Sequence, residues 1–266
     1  VSSDHQLFLN RLRRTRLYIR LAQLGLVVSF FALWEVATLF GWLDSFLVSS
    51  PSRIWQTIAL LHAVGGLYHH IWITSLVTVV GFVGGTIFGT FFAAILWWWP
   101  KLHLTAQPFL IVLNSLPKIA LGPLFIVWLG TGYVTIVTIA LAISIVTTII
   151  VVHNGFTTID PLKLKLVHSF GATKWQSFYL IVLPGSYQTI VSAVKVNVGL
   201  SWVGVIAGEF LVSRAGLGYL AIYGGQVLNM HLVMTSVLIL CVAAALMYQA
   251  IVFLERINWR NTLTGP

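Results

Sequence analysis

Few residues of this chain can do chemistry, and most of those fall inside apolar stretches. Lys118 stands between Pro117 and the Gly122-Pro123 pair, with Asn114 four residues before it. Lys195 lies about nine residues into an apolar run that starts at Ser186, and Asn197, Ser201, Trp202 and Glu209 follow. A lysine in hydrocarbon is costly unless it is paired or hydrated. Two arrangements satisfy that condition. In the first, Asn114, Pro117, Lys118, Lys195, Asn197, Trp202 and Glu209 line a translocation route whose lysines favour anions. In the second, Lys195 is paired inside the protein, for instance with Glu35 or Glu209, or reaches an interface along its own stem. Asn197 and Trp202 then only hold helices together. The residues alone leave both arrangements open.

Other chemistries are excluded more readily. The chain has no Gly-x-Ser-x-Gly, His-Glu-x-x-His or Walker A sequence, so neither hydrolysis nor nucleotide binding is expected of it. The single cysteine, Cys241, rules out an intrachain disulfide and a cysteine metal cluster. His62, His69 and His70 have no carboxylate or cysteine spaced to complete a metal site. A formal charge of +9 could suggest nucleic acid, but its placement argues for orientation in a membrane and for no nucleic acid partner.

The elements that must hold these residues are apolar helices. Of 266 residues, 58% are hydrophobic and only 8% charged, against about a quarter charged in soluble domains. Spans are expected at Leu21–Phe40, Ile71–Leu96, Phe109–Leu129, Val134–Val152, Ser186–Ile206 and His231–Phe253. The fold class is therefore an all-α polytopic membrane protein with six transmembrane helices. The runs are continuous rather than alternating, which argues against a β-barrel. The first run follows a basic stretch, as in a signal peptide, but it is long enough to span and no small-residue cleavage site follows; a retained helix is expected. Eleven of the 15 basic residues fall on the side shared by both termini, the 97–108 loop and the 158–184 loop. The excess places that side in the cytoplasm. In the second span, Gly81, Gly85 and Gly89 recur one turn apart and permit close helix packing. Trp97, Trp98 and Trp99 read as interfacial anchors. Pro117 and Pro123 interrupt the third span, which is tolerated where a broken helix is packed in protein or lines a watery cavity.

The most structured loop is Asp160–Pro184. Asp160 caps a helix with Pro161 at its first position. Leu162, Leu166 and Phe170 repeat every four residues on one face, with Val167 beside them. Gly171 ends that helix in the left-handed conformation. After Ala172, Thr173 caps a second helix carrying Trp175, Phe178, Tyr179 and Val182, which Pro184 is expected to close. A loop of this form invites a partner.

Gly171-Ala172-Thr173, about ten residues, then Leu183-Pro184 resembles the cytoplasmic signature of permease subunits of bacterial ABC importers. Pro51-Ser52-x-x-Trp55, Pro117-Lys118-Ile119-Ala120, Pro123-Leu124, Trp128-x-Gly130-x-Gly132, and Ala207-Gly208-Glu209 followed by Gly216-Leu217-Gly218-Tyr219 extend the likeness over about Trp34–Glu255. Together they resemble the branch that imports nitrate, sulfonate, taurine and bicarbonate. Related permeases carry aromatic acids, vitamins or pyrimidine precursors. The signature commonly opens with Glu-Ala-Ala six residues before the glycine; here Lys165-Leu166-Val167 stands there, so docking by apolar shape is expected. The resemblance implies a basic cytoplasmic segment at 1–20, a six-helix transmembrane domain at 21–255 with its coupling loop at 158–184, and a cytoplasmic tail at 256–266. It also implies a second permease copy, cytoplasmic ATPase subunits that bind ATP and Mg, an external solute-binding protein, and a place among the lipids of the bacterial inner membrane. ATPase coupling falls to Asp160, Pro161, Leu162, Leu166, Phe170, Gly171, Ala172, Thr173 and Trp175. A stand-alone channel or secondary transporter is the rival class, but no convincing internal repeat supports it.

Overall fold

The computed structural model describes residues 3–263, and these contain helices and turns but no strand. The helices are α1 (Ser3–Leu39), α2 (Ser45–Val48), α3 (Pro51–Ala63), α4 (Leu67–Trp98), α5 (Pro100–Ser115), α6 (Gly122–Leu129), α7 (Tyr133–Thr157), α8 (Pro161–Ser169), α9 (Lys174–Ser177), α10 (Leu183–Gly185), α11 (Tyr187–Val212), α12 (Leu217–Gln226) and α13 (Met230–Leu263). Among the described residues, five segments are straight, long and apolar enough to cross a membrane: Leu17–Leu39, Leu67–Trp98, Tyr133–Thr157, Tyr187–Val212 and Met230–Ile257. The basic stretch at the start is helical from Ser3 and runs unbroken into the first of these. Residues 1–2 of that segment and 264–266 of the tail lie outside the described residues.

The expected third span is two helices rather than one. Pro100–Ser115 and Lys118–Leu129 meet at 87° and are long and apolar enough to cross a membrane only as a pair. The chemistry of the break is local. Leu116, before Pro117, is extended at φ −65°, ψ 137°, as the proline ring requires of its predecessor. Lys118–Leu121 forms a 3₁₀ turn, and Gly122-Pro123 then starts α6 with a proline in its first turn. The segment 41–70 is also more ordered than a plain loop. Ser50 caps α3 by accepting from the Arg53 amide at 3.4 Å, and Glu35 of α1 accepts from the Ser52 amide at 3.0 Å.

The core is α4, α7 and α11. It is built by small residues that let backbones approach. A Cβ at Gly81 would lie 2.9 Å from the Ala140 Cβ, one at Gly85 2.9 Å from the Ser144 Cβ, and one at Gly89 2.7 Å from the Thr148 Cγ2. The glycine stripe of α4 therefore meets a stripe of small residues on α7, four apart. On the other side, a Cβ at Gly204 would sit 2.6 Å from the Ala140 Cα, and one at Gly208 3.0 Å from the Ile136 Cα. Ala140 is held between two glycines. Lipid tails are as apolar as any side chain, so such close van der Waals packing is a main force holding membrane helices together. Ser144, Thr148 and Thr78 return their hydroxyls to carbonyls four residues back, which keeps the small polar residues satisfied inside the core. Helix α1 presents exposed apolar side chains along its whole span, as a lipid-facing helix must.

Candidate functional site

Two groups of predicted residues are placed by this fold: the Asp160–Pro184 loop at one end of the core, and the polar residues at depth. In the loop, the Asp160 carboxylate accepts from the Leu162 amide at 2.8 Å, and Pro161 occupies the first turn of α8. Gly171 has φ +79°; its amide donates to the His168 carbonyl at 2.9 Å and the Ala172 amide to Val167 at 3.2 Å, closing the helix. Thr173 and Gln176 form a reciprocal capping box, with the Thr173 amide 2.8 Å from Gln176 Oε1. The loop is thus rigid at each joint. Leu162, Leu166, Phe170 and Trp175 are nevertheless 58% to 82% exposed. The inward residue that the sequence reading missed is Leu164, which packs against Val152, Phe156 and Val182.

Pro184 does not close the second helix. The path continues from α9 through a π turn at Phe178–Val182 into α10 and then, past Ser186, into α11. The Leu183 amide donates to the Phe178 carbonyl, five residues back. That wider turn just before the proline accommodates its ring and its missing donor. The assembly is bolted to α4: the Lys174 ammonium donates to the Trp98 carbonyl and lies 5.6 and 5.3 Å from the centroids of the Trp97 and Trp98 rings. The Trp97 and Phe178 rings are 5.0 Å apart, and those of Trp98 and Trp175 6.0 Å. Ser186 Oγ donates to the Gly155 carbonyl at 3.0 Å, pinning the start of α11 to α7.

The polar residues at depth do not converge on one site. Asn114, Pro117 and Lys118 are together at the 87° break. Lys118 Nζ donates to the Asn114 carbonyl at 3.0 Å, and Asn114 Oδ1 accepts from Thr147 at 3.3 Å. Lys118 is half-buried and Asn114 exposed, so this group faces outward from the protomer. Lys195 is instead paired, with Nζ 2.7 Å from a Glu255 carboxylate oxygen on α13. Its partner is neither Glu35, which serves Ser52, nor Glu209. Asn197, Trp202 and Glu209 are buried within the protomer. Asn197 Nδ2 donates to Thr86 at 3.1 Å and Thr148 at 2.6 Å, joining α4, α7 and α11. Trp202 belongs to the core cluster around Leu217, Leu220 and Leu240.

Glu209 has the most constructed surroundings of all. It accepts from Thr74 Oγ1 at 2.8 Å and from the Gly218 amide at 2.7 Å. Thr74 in turn accepts from the Leu217 amide at 2.8 Å, and His70 Nδ1 accepts from the Gly216 amide at 2.9 Å. Three of the free amides that open α12 are thereby satisfied by side chains of α4 and α11. Side chains at Gly216 and Gly218 would strike the carboxylate, with Cβ atoms 2.6 and 2.8 Å from Oε2. The Ala207-Gly208-Glu209 and Gly216-Leu217-Gly218 motifs are therefore two halves of one buried joint. Its partner Thr74 was missed, although it continues the small-residue face of α4 below Gly81.

A helical chain of this kind, with five long apolar helices and a broken sixth, defines a multi-pass membrane protein. The family match makes the class specific. Residues 85–258 match the family described as binding-protein-dependent transport system inner membrane component, and the chain belongs to it. It is a permease subunit of an ABC importer, which sets aside the stand-alone channel and the secondary transporter. It is similar to the putative aliphatic sulfonates transport permease protein SsuC of Bacillus subtilis, 26% identical over 88% of this chain and 86% of that one. It is also similar to the formylaminopyrimidine transport permease protein ThiX of Halalkalibacterium halodurans, 25% identical over 70% of this chain and 74% of that one. The fold resembles the crystal structure of an amino acid ABC transporter with histidines, at a TM-score of 0.58 and 17% identity, covering 77% of this chain and 97% of that chain.

Proposed function

We propose that this permease imports a small sulfonate of the aliphatic or taurine kind, and that Asp160–Pro184 couples it to a cytoplasmic ATPase that binds ATP and Mg. The single observation that carries the coupling role is the loop itself. Four large apolar side chains stand in the open on a backbone that caps, a left-handed glycine and a capping box hold rigid. A groove on a partner would bury them, and the Lys165-Leu166-Val167 sequence makes that contact apolar rather than acidic. The excess of basic residues in this loop, the 1–20 segment and the 256–266 tail supports a cytoplasmic position for all three. Two copies form the pathway, and a binding protein delivers the solute from outside.

The sulfonate reading rests on the named relative and on Lys118, whose partner is a backbone carbonyl. The Lys195 charge is matched by Glu255 and adds nothing to an anion preference. Neither relative above is named for nitrate or bicarbonate, and neither solute is proposed. A second reading, import of an uncharged pyrimidine precursor, is favoured by the other relative and by the same charge matching at Lys195. Uptake of labelled taurine, an alkanesulfonate and a formylaminopyrimidine is to be measured in proteoliposomes holding the assembled transporter and its binding protein. Sulfonate uptake driven by ATP and lost in Leu166→Asp supports the proposal. Uptake of the pyrimidine alone overturns the substrate; full coupling in Leu166→Asp with Phe170→Asp overturns the role of the loop.

A further inference from the structure

We propose that the aromatic corner between α4 and α9 is a binding site for an anionic phospholipid, with an acyl chain in the groove and the phosphate at Lys174 and Lys101. The groove holds about 230 Å³ and is lined by Phe91, Ala94, Ile95, Trp98, Trp99, Trp175 and Phe178. Its wall is almost wholly apolar. Phe91, Ala94, Ile95 and Trp98 are spaced three and four apart, so they form one stripe that rises about 10 Å along α4. The groove therefore runs with the helix, the direction a lipid tail takes beside a membrane span. Phe91, Trp99 and Trp175 are more than half exposed; water would leave this surface unsatisfied, and a hydrocarbon chain would cover it.

The rim specifies the headgroup. Lys174 spends one donor on the Trp98 carbonyl and keeps two for an outside acceptor. Lys101 is exposed and follows two residues after Trp99, which lines the groove. Neither lysine is ion-paired among the described residues. The carboxylates of Glu35, Asp44, Asp160, Glu209 and Glu255 are engaged elsewhere: Glu35 accepts from Ser52, Asp44 caps α2, Asp160 caps α8, Glu209 is buried under α12, and Glu255 holds Lys195. An apolar slot with the Lys174 ammonium beside its Trp98 wall, and the exposed Lys101 two residues beyond Trp99, is complementary to an acyl chain below a phosphate. Tryptophans at the same level fit the headgroup depth. A lysine near an anionic surface is worth about fivefold in affinity, so the two together give roughly 25-fold.

Binding does not depend on the proposed function, although its consequence does. Trp175 would touch both the lipid and the ATPase, so the anionic lipid content would tune coupling. The test uses the assembled transporter in detergent, titrated with dioleoyl phosphatidylglycerol or dioleoyl phosphatidylcholine and read by native mass spectrometry. The expected result is a preference for phosphatidylglycerol of roughly 25-fold that falls below about threefold in Lys101→Gln with Lys174→Gln. Ile95→Trp, which fills the slot and keeps both lysines, should lose both lipids. Equal retention of the two lipids by the unaltered transporter overturns the proposal. Retention of phosphatidylglycerol unchanged in Ile95→Trp also overturns it. So does an ATPase side chain seated in the groove, seen as no lipid retention until the ATPase is stripped away. Retention is read without solute or ATP, so its failure is distinct from a failure of import.

Discussion

Lys195 and Glu255 show how this permease handles charge at depth, and a double-mutant cycle measures it. Lys195→Met and Glu255→Gln each leave one charge without a partner, and the double variant leaves none. Unit charges 4 Å apart attract by about 4 kcal/mol at an effective dielectric constant of 20. The pair is closer, at 2.7 Å, but its side chains are 28% and 22% exposed. Solvent screening and desolvation take back much of that attraction. A coupling of about 1–3 kcal/mol remains, the range for contacting charged neighbours. Each single variant should lose roughly that amount, and the double should lie within about 1 kcal/mol of the parent. The assay is the apparent midpoint of heat-induced aggregation in detergent at a fixed scan rate, because unfolding is irreversible. At about 2–4 °C per kcal/mol, the single variants should melt roughly 2–12 °C lower and the double should recover. Uptake in proteoliposomes is measured on the same samples. If Lys195→Met keeps its midpoint, loses uptake and is not rescued by Glu255→Gln, the lysine acts on the solute and the pairing argument fails.

Glu209→Ala strips the Thr74 hydroxyl and the Gly218 amide of their acceptor, at about 1–3 kcal/mol for each orphaned donor; the check is the same melting assay, with Gly218 amide exchange expected to rise. Gly204→Ala puts a Cβ 2.6 Å from the Ala140 backbone and should cost about 1–3 kcal/mol by overpacking, whereas Gly199→Ala, whose Cβ meets nothing within 4 Å, should be silent in melting and expression. Lys118→Met should lower sulfonate uptake about tenfold at unchanged melting, since its main-chain hydrogen bond is an exposed one; an unchanged uptake rate would remove the remaining physical reason for an anionic cargo.

The parts of this molecule that are local in sequence were legible in it. The apolar runs, the Asp160 and Thr173 caps, the Gly171 turn and the Gly81–Gly85–Gly89 stripe each follow from neighbours a few residues apart. What the sequence hid was pairing over long separations. Nothing near Lys195 points to Glu255, sixty residues away. Nothing near Glu209 points to Thr74 on another helix. The polar residues at depth were therefore grouped by type, as a pathway, while within the protomer Asn197, Trp202 and Glu209 pack into the core. Pro184 misled for a different reason. Proline ends a helix when the turn before it is an α turn, and here a π turn precedes it. Phe178, the first residue of that turn, packs against Trp97 and Phe156, partners that no window around the proline reveals.

That π turn bears on how the loop could act. Had Pro184 broken the chain, α8 and α9 would hang from a hinge, and a partner pulling on them would move only the loop. Instead the helical path from Lys174 to Val212 is nearly continuous. Close contacts hold it to α7 and to the turn that follows α7: a Cβ at Gly155 would lie 2.7 Å from the Thr189 Cγ2, and one at Gly185 2.7 Å from the Ile159 Cδ1. Its far end carries Glu209, which holds the start of α12. If the loop docks as proposed, a displacement at α9 has no soft joint in which to dissipate and is delivered to the Glu209–Gly218 contact at the opposite end of the core. Packed elements of this kind move as bodies between discrete arrangements. The Glu209 joint then does for α12 what the capping box does for α9, and a permease with an intact loop and a loosened Glu209 joint should dock its ATPase yet transport poorly.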